Sequence, residues 1–482
     1  MINYRVILYI LGFLVFIEGI CILFCAPISA YNNDSDYSAI LLAGFITALS
    51  GLLVWLLNRR TDKNISKRDG YIIVSVVWIV FSLFGSLPFM ISGHIPSFTD
   101  AFFETMSGFT TTGASVLNDI ESLSHGLLFW RSLTQWLGGM GIIVMSIAIL
   151  PLLGIGGMQL FIAEVPGPTP DKISPRIKET AQKLWAIYII FTAAETILLI
   201  FGGMSFFDAV CHAFTTMATG GYSTKQASIM HYSSPFIHYV IIVFMFLAGT
   251  NFTLSYFALH LNFKKIWQNE EFRSYLFFIL SFTVVIAFVL YISHYNNPET
   301  CFRDSMFQVV SIITTTGFVT ADYLLWPHFL IMLILVLMFF GGSAGSTGGG
   351  IKIMRIVLLI KNGFYELKRL IHPSAVIPVR FNNQGVSPQI LSNVLAFVMF
   401  YIFIMVIGIV VMSAMDYDID SSIGAVAATL GNIGPGIGAV GPVENYEHIP
   451  IFGKWFLSLL MMIGRLEIFT VFLLFSPNFW KN

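Results

Sequence analysis

The sequence predicts an all-α polytopic membrane protein that carries a fourfold internal repeat. Of its 482 residues, 56% are hydrophobic and only 11% are charged, whereas soluble domains carry about 25% charged residues. Several long apolar stretches can cross, as helices, a hydrocarbon core roughly 30 Å thick. A short apolar segment followed by a loop rich in Thr and Gly recurs along the chain. Nothing in the sequence matches a nucleic-acid-binding module, so no nucleic-acid partner is expected.

The first apolar stretch, residues 6–26, has two interpretations. As a signal peptide it would need a shorter apolar region and a more basic start than Arg5 alone provides. A second apolar stretch, 38–57, follows at once, so a retained transmembrane helix pair is the better prediction. We assign residues 1–65 to this N-terminal pair.

The predicted membrane spans differ clearly in length from four other apolar segments. The spans lie near 6–26, 38–57, 71–92, 126–150, 184–203, 236–260, 274–294, 325–360 (interrupted), 390–413 and 452–475. The shorter segments lie at 99–110, 206–218, 302–314 and 420–431. These segments are too short to span a bilayer. We therefore predict that they are re-entrant helices, which are tolerated where protein or water covers their backbone.

The distribution of Lys and Arg predicts the orientation. Basic residues concentrate in the connections 58–70, 164–183, 262–273 and 352–380. The loop at 31–37 contains Asp34 and Asp36 but no Lys or Arg. The basic connections are therefore expected in the cytoplasm, together with both termini, and the Thr-Gly loops open to the outside.

The repeating unit is a long helix, a short helix, a loop and a second long helix, as expected for an internal repeat. The predicted units are residues 66–165, 166–265, 266–380 and 381–482. The four loops are 110–115, 218–223, 314–318 and the degenerate 432–436. An Asp near the start of each short segment is predicted to cap the short helix; these are Asp100, Asp208, Asp304 and Asp420.

One Thr-Gly loop alone is most simply a turn, but four in equivalent positions favour a cation selectivity filter. Such a filter replaces hydration water with rings of carbonyl oxygens, and Gly tolerates the positive φ that aims them. The loops themselves contain no carboxylate, which favours a monovalent cation. The predicted filter residues are Thr111, Thr112, Gly113, Thr219, Gly220, Thr315, Thr316, Gly317, Asn432, Ile433 and Gly434.

A Gly-rich segment interrupts the span at 325–360. It reads Gly341, Gly342, Ser343, Ala344, Gly345, Ser346, Thr347, Gly348, Gly349 and Gly350. Each Gly inside a helix costs about 1 kcal/mol, so the helix is expected to break and the break to line a cavity. The segment lacks the Gly-Lys-Ser/Thr ending of a phosphate loop. A flexible plug below the filter is therefore the better hypothesis.

Arg465 lies in the middle of the last predicted span, with Glu467 nearby. A charge at this depth costs at least about 2.5 kcal/mol and is a functional candidate. One interpretation is a structural pair with Glu467 or with helix-end carbonyls. The other is an electrostatic barrier in the pore that tethers the 341–350 segment.

Taken together, these motifs resemble the Trk/Ktr/HKT superfamily of potassium transporters, and most closely its Trk branch, over residues 66–482. The N-terminal pair resembles the extra helix pair of that branch. The resemblance implies four M1-P-M2 repeats around a pseudo-fourfold pore, a homodimer with a pore in each subunit, and potassium uptake across the inner (plasma) membrane. It also implies a gate at 341–350. The fourth loop departs from the family pattern at Asn432 and Ile433.

The resemblance further implies a cytoplasmic regulatory subunit of the TrkA type, with nucleotide-binding RCK domains. A nucleotide, NAD or ATP, would then act only through that partner, and no covalent cofactor is expected. Potassium is the implied substrate, and membrane lipid surrounds the chain. Proton- or sodium-coupled symport stays open as an alternative to a channel-like pore. An enzyme is not expected, since no nucleophile, base or metal cluster is visible in the sequence.

Overall fold

The computed structural model describes residues 2–61, 65–139, 141, 177–293, 297–375 and 377–481. In the first half of the chain the helices are α1 (Tyr4–Tyr31), α2 (Tyr37–Leu57), α3 (Lys67–Gly85), α4 (Leu87–Ile91), α5 (Phe98–Phe109), α6 (His125–Gly139), α7 (Ile177–Phe201), α8 (Phe206–Met217), α9 (Pro235–Ala248), α10 (Phe252–Leu259) and α11 (Phe263–Gln268). In the second half they are α12 (Glu270–Ser293), α13 (Pro298–Ile313), α14 (His328–Leu337), α15 (Ile353–Ile371), α16 (Pro388–Ser413), α17 (Ile419–Leu430), α18 (Ile451–Arg465), α19 (Ile468–Phe475) and α20 (Pro477–Trp480).

Short 3₁₀ turns and one small hairpin complete the secondary structure of the described residues. The turns are Ser228–His231, Tyr323–Leu325 and Gly438–Val440. Strands β1 (Arg380–Phe381) and β2 (Gln384–Gly385) pair antiparallel. Most of the predicted span 126–150 beyond α6, the start of the basic connection 164–183, and the boundary between the first two predicted units lie outside the described residues.

Helices of membrane-spanning length dominate the described part of the chain. Six are long and apolar enough to cross a bilayer, or up to eight when each sharply bent pair counts as one span. In lipid only helices and closed barrels satisfy every backbone polar group. The fold is therefore that of a predominantly helical, multi-pass membrane protein.

The N-terminal pair α1 and α2 packs through small residues. A Cβ added at Gly19 would lie 2.3 Å from the backbone nitrogen of Ala48, and one at Gly51 would lie 2.3 Å from that of Phe16. Small residues let membrane helices approach this closely. At the tip, Asp36 accepts hydrogen bonds from Ser29 and from Ser124, which precedes α6. The pair is thus fixed to the start of α6.

Two of the predicted continuous spans are broken in the structure, so those two predictions are corrected. The span at 236–260 divides into α9 and α10 with a bend of 112°, and that at 452–475 divides into α18 and α19 with a bend of 117°. At the first break Asn251 accepts a hydrogen bond from the backbone N–H of Thr253 and so caps α10. At the second, Glu467 has φ +60°, which a right-handed helix does not allow.

The short helices α5, α8, α13 and α17 occupy the four predicted positions, but their caps differ from the prediction. The N-cap side chains that accept backbone N–H bonds are Ser97, Ser205, Asn297 and Asp418. Asp100, Asp208 and Asp420 lie in the first turn instead, where a carboxylate still complements the helix dipole. Asp304 lies farther along α13. Hydrogen bonding from Ser421 lowers the pKa of the Asp418 carboxyl, so this cap stays ionised.

Candidate functional site

The four Thr-Gly loops meet at one place and contact one another in a closed cycle. One glycine in each loop, called here its ring glycine, lies against a backbone carbonyl oxygen of another loop. A Cβ added at these glycines would clash: Gly113 with Gly220 O at 2.2 Å, Gly221 with Thr316 O at 2.0 Å, Gly317 with Ile433 O at 1.9 Å, and Gly434 with Thr112 O at 2.7 Å. Loop 1 (110–115) therefore faces loop 2 (218–223), which faces loop 3 (314–318), which faces loop 4 (432–436), which faces loop 1. Only glycine leaves room for such an approach.

Each short helix ends in the same backbone motif. The residue one beyond the C-cap has a left-handed conformation: Thr111 (φ 54°), Thr219 (54°), Thr315 (59°) and Asn432 (55°). The next residue donates its N–H to a carbonyl five positions earlier, as from Thr112 to Ser107 at 2.8 Å and from Ile433 to Ala428 at 2.8 Å. This is the Schellman arrangement that closes helix ends. Left-handed Thr is unusual, so the surrounding contacts must hold it there.

The common motif corrects the sequence alignment of loop 2. The ring glycines with positive φ are Gly113, Gly221, Gly317 and Gly434. Gly220, predicted as the ring glycine, instead takes the middle position that Thr112 occupies in loop 1. The error came from two adjacent glycines. The spacing could have resolved it, since Asp208 is separated from Gly221 by the same number of residues as Asp100 is from Gly113.

The predicted plug, 341–350, lies against loops 3 and 4. A Cβ at Gly348 would lie 2.9 Å from Thr314 O, and one at Gly349 would lie 2.6 Å from Gly431 O. The backbone N–H of Gly349 donates to Thr315 Oγ1 at 2.7 Å. The segment therefore contacts the loops directly, and one of its amides uses a hydroxyl of a predicted filter residue.

Two cationic side chains hold adjacent carbonyls of the 341–350 segment. Arg465 donates to Thr347 O at 2.6 Å, and also to Gly138 O at 2.7 Å and Gly139 O at 2.8 Å at the end of α6. Lys352, which is buried, donates to Gly348 O. Arg465 thus joins α18, the 341–350 segment and α6. Sequence reasoning missed Lys352 because it reads as one of the basic residues of a cytoplasmic connection.

Of the two structural partners predicted for Arg465, Glu467 and helix-end carbonyls, the hydrogen bonds described for the guanidinium include the carbonyls at the end of α6. Glu467 accepts a hydrogen bond from Arg355 at 2.6 Å. The stem of the 341–350 segment closes separately, because Gly341 N–H donates to Ile351 O at 2.8 Å. Glu271 on α12 accepts from the backbone N–H of Ala344 at 2.7 Å. A carboxylate therefore holds the first half of the segment at Ala344, while cations hold the carbonyls of Thr347 and Gly348 in its second half.

A buried ion pair lies behind loops 1 and 2. The Arg131 Nε to Glu104 Oε1 distance is 2.7 Å, and the side chains are 3% and 0% exposed. Glu104 accepts from Val116 N–H at 2.9 Å, and Arg131 donates to Ser223 O at 2.9 Å. The Arg131 guanidinium lies 3.5 Å from the centre of the Tyr222 ring. Because Glu104 also accepts a hydrogen bond from Ser115 Oγ at 3.0 Å, the pair joins the end of loop 1 to the end of loop 2.

We expect Glu104→Gln to destabilise the protein strongly, because it leaves a buried guanidinium without its counter-charge. Breaking a buried pair in this way costs about 3–5 kcal/mol. Thermal unfolding in detergent measures the loss. The double variant Glu104→Gln/Arg131→Met removes both charges and should recover a large part of the stability; a double variant less stable than the single one would contradict this account.

The family model for TrkH, described as a cation transport protein, matches residues 37–482. The chain belongs to the TrkH family. Membership places it among membrane transport proteins rather than enzymes.

Individual relatives in the TrkH family cover the chain completely or nearly so. It is 41% identical to the Trk system potassium uptake protein TrkH of Salmonella typhimurium, over 100% of both chains. It is 34% identical to the potassium uptake protein TrkG of Escherichia coli, over 99% of both. The crystal structure of the potassium transporter TrkH from Vibrio parahaemolyticus matches with a TM-score of 0.90 and 39% identity, covering 100% of both chains.

Proposed function

We propose that this protein takes up potassium across the cell inner membrane through a gated, channel-like pore. The observation that carries the proposal is the closed cycle of four loops, in which each ring glycine packs on the carbonyl of another loop. A ring of backbone carbonyls is the arrangement that replaces the hydration shell of a monovalent cation. The relatives named as potassium uptake proteins support potassium as that cation.

In this proposal the chain forms four M1-P-M2 repeats around one pseudo-fourfold pore. The short helices α5, α8, α13 and α17 are the P elements, and the loops that follow them form the filter. The residues predicted from the sequence would form the filter, together with Gly221 as the ring glycine of loop 2. The 341–350 segment is the gate, held closed by Arg465 and Lys352. Because the segment contacts loops 3 and 4, it would obstruct the inner end of the filter.

Regulation would come from outside the chain. We propose a homodimer with a pore in each subunit, both termini in the cytoplasm, and a cytoplasmic nucleotide-binding partner of the TrkA type. The relatives' name, a Trk system, supports several components. The basic stretch 361–380, on α15 and beyond, is a candidate contact for that partner, since α15 exposes Lys368 and Leu370.

Ion flux into liposomes tests the proposal. The purified protein should carry potassium and rubidium faster than sodium, because a carbonyl ring suits the larger, less strongly hydrated ions. Liposomes with the Gly317→Asp variant, which should not form the ring, serve as the background. Equal flux of all three ions, or flux no greater than this background, would reject a potassium filter.

A second measurement separates a channel-like pore from a coupled symporter. The reversal potential is recorded with opposed potassium and proton gradients. A pore conducts only along the potassium gradient, so its reversal potential should not move with pH at fixed potassium. A shift with pH, or with sodium, would establish the coupled alternative.

A further inference from the structure

Loop 2 lacks polar groups that two of the other loops carry behind the ring. Hydroxyl pairs join Thr110 to Thr112 at 2.9 Å in loop 1 and Thr314 to Thr316 at 2.8 Å in loop 3. The corresponding residues of loop 2 are Ala218 and Gly220, which have no side-chain oxygen. Some other group must therefore support the Gly220 peptide.

Gln135 of α6 occupies this space. A Cβ added at Gly220 would lie only 2.4 Å from Gln135 Cδ, and the glutamine is fully buried. Its Nε2 donates to Gly220 O at 2.7 Å, while its Oε1 accepts from Tyr222 N–H at 3.0 Å. One partner is a backbone acceptor and the other a backbone donor, so the neutral amide satisfies both, whereas a carboxylate, which only accepts, could not. The orientation of the amide follows from these partners.

Gln135 differs from the residue at the same position of another helix. Gln135 lies one turn before Gly138, and Met461 of α18 lies one turn before Gly464. The two glycines are equivalent, since a Cβ at Gly138 would lie 1.9 Å from Phe109 O and one at Gly464 would lie 2.1 Å from Leu430 O. Phe109 and Leu430 each end a short helix. On α18 a methionine thus occupies the position at which α6 carries its amide.

We propose that Gln135 is a positioning residue that determines potassium-over-sodium specificity. The carbonyl it holds, Gly220 O, is the one that packs on Gly113 in the ring. A carbonyl that accepts an N–H bond offers a weaker field to a cation, and a weaker field favours potassium over the more strongly hydrated sodium. This inference rests on the proposed function, and it adds that one quadrant of the filter is tuned from α6.

The test compares Gln135→Glu and Gln135→Met with the unaltered protein. Glu removes the donor and adds negative charge beside the ring, whereas Met removes the amide but keeps the volume. We expect the potassium-to-sodium flux ratio to fall roughly tenfold for Glu and about threefold for Met. Gln308→Glu is the matched control. Gln308 is equally buried, but its amide contacts Ala321 O, beyond loop 3, so its ratio should stay unchanged.

A second readout does not require transport. The shift of the thermal midpoint in detergent produced by potassium chloride, relative to sodium chloride, reports preferential ion binding to the folded state. Both Gln135 variants should reduce this difference. Folded variants with unchanged flux ratio and midpoint difference, or a control that changes as much, would overturn the inference and leave Gln135 a packing residue. An unaltered protein with no preference for potassium in either assay would instead reject the proposed function, and the inference with it.

Discussion

We expect Gly221→Ala to reduce potassium uptake strongly, whereas Gly220→Ala should retain uptake with reduced selectivity. At Gly221 the backbone has φ +76°, and an added Cβ would lie 2.0 Å from the backbone oxygen of Thr316. The left-handed conformation alone costs roughly 1–2 kcal/mol for a residue with a Cβ, and the neighbouring loop would also have to move. At Gly220 the atoms in the way belong to the end of the Gln135 side chain, which can rotate.

Rubidium uptake into liposomes at matched protein content measures the effects of the two substitutions. We expect a loss of at least about tenfold for Gly221→Ala, since each 1.4 kcal/mol corresponds to a factor of ten. Gly363→Ala is the control, because an added Cβ there meets no atom within 4 Å, and its uptake should equal that of the unaltered protein. Loss of uptake at Gly220 with normal uptake at Gly221 would restore the alignment that the sequence suggested.

We expect Arg465→Ala to raise the resting ion flux. The guanidinium donates to Thr347 O in the 341–350 segment and to two carbonyls of α6. Its removal also takes a positive charge away from the proposed cation pathway. Hydrogen bonds to charged groups contribute about 1.5–3 kcal/mol each, so losing the contact with Thr347 should increase flux roughly tenfold to a hundredfold. Deletion of residues 345–348 should increase flux in the same direction.

The control for this prediction lies on the same helix. Lys454 on α18 is also a cation, and its Nζ lies 2.6 Å from Asp100 Oδ1. This pair does not involve the 341–350 segment, so Lys454→Ala should leave resting flux unchanged. Combining Arg465→Ala with Lys352→Met tests whether the two side chains act together. Residues that belong to one hydrogen-bonded network usually show non-additive effects, and these two bind neighbouring carbonyls of the 341–350 segment. Lower flux in well-folded Arg465→Ala would mean that the arginine holds the helices together and does not restrain a gate.

Features that depend on local apolar length could be predicted from the sequence, whereas features that depend on contacts between distant residues could not. The length of the apolar stretches is enough to predict α1, α2, α12 and α16, because a continuous helix satisfies its own backbone hydrogen bonds in lipid. The breaks after α9 and α18 depend on contacts of Asn251 and Glu467 that no apolar pattern records. The TrkH family and its membrane transport role were recognisable from the loops, the Gly-rich segment and Arg465.

The residues missed by sequence reasoning are those whose role depends on a distant partner. Lys352 belongs by composition to a basic connection, yet in the fold it binds Gly348 O. Gln135 is an ordinary polar residue of a long helix until loop 2 is placed against it. The Gly220–Gly221 pair is ambiguous because either glycine permits the conformation, and the end of α8 decides between them.

The cycle of loops also affects how this protein can change by mutation. In a pore built from four identical chains, one codon change alters all four quadrants at once. Here the contacts Gly113–Gly220, Gly221–Thr316, Gly317–Ile433 and Gly434–Thr112 are encoded separately. A single substitution therefore alters one quarter of the ring, so in the proposed filter natural variation can adjust ion preference in graded steps. Loop 4, with Asn432 and Ile433 where loop 1 has two threonines, is one such divergent quarter.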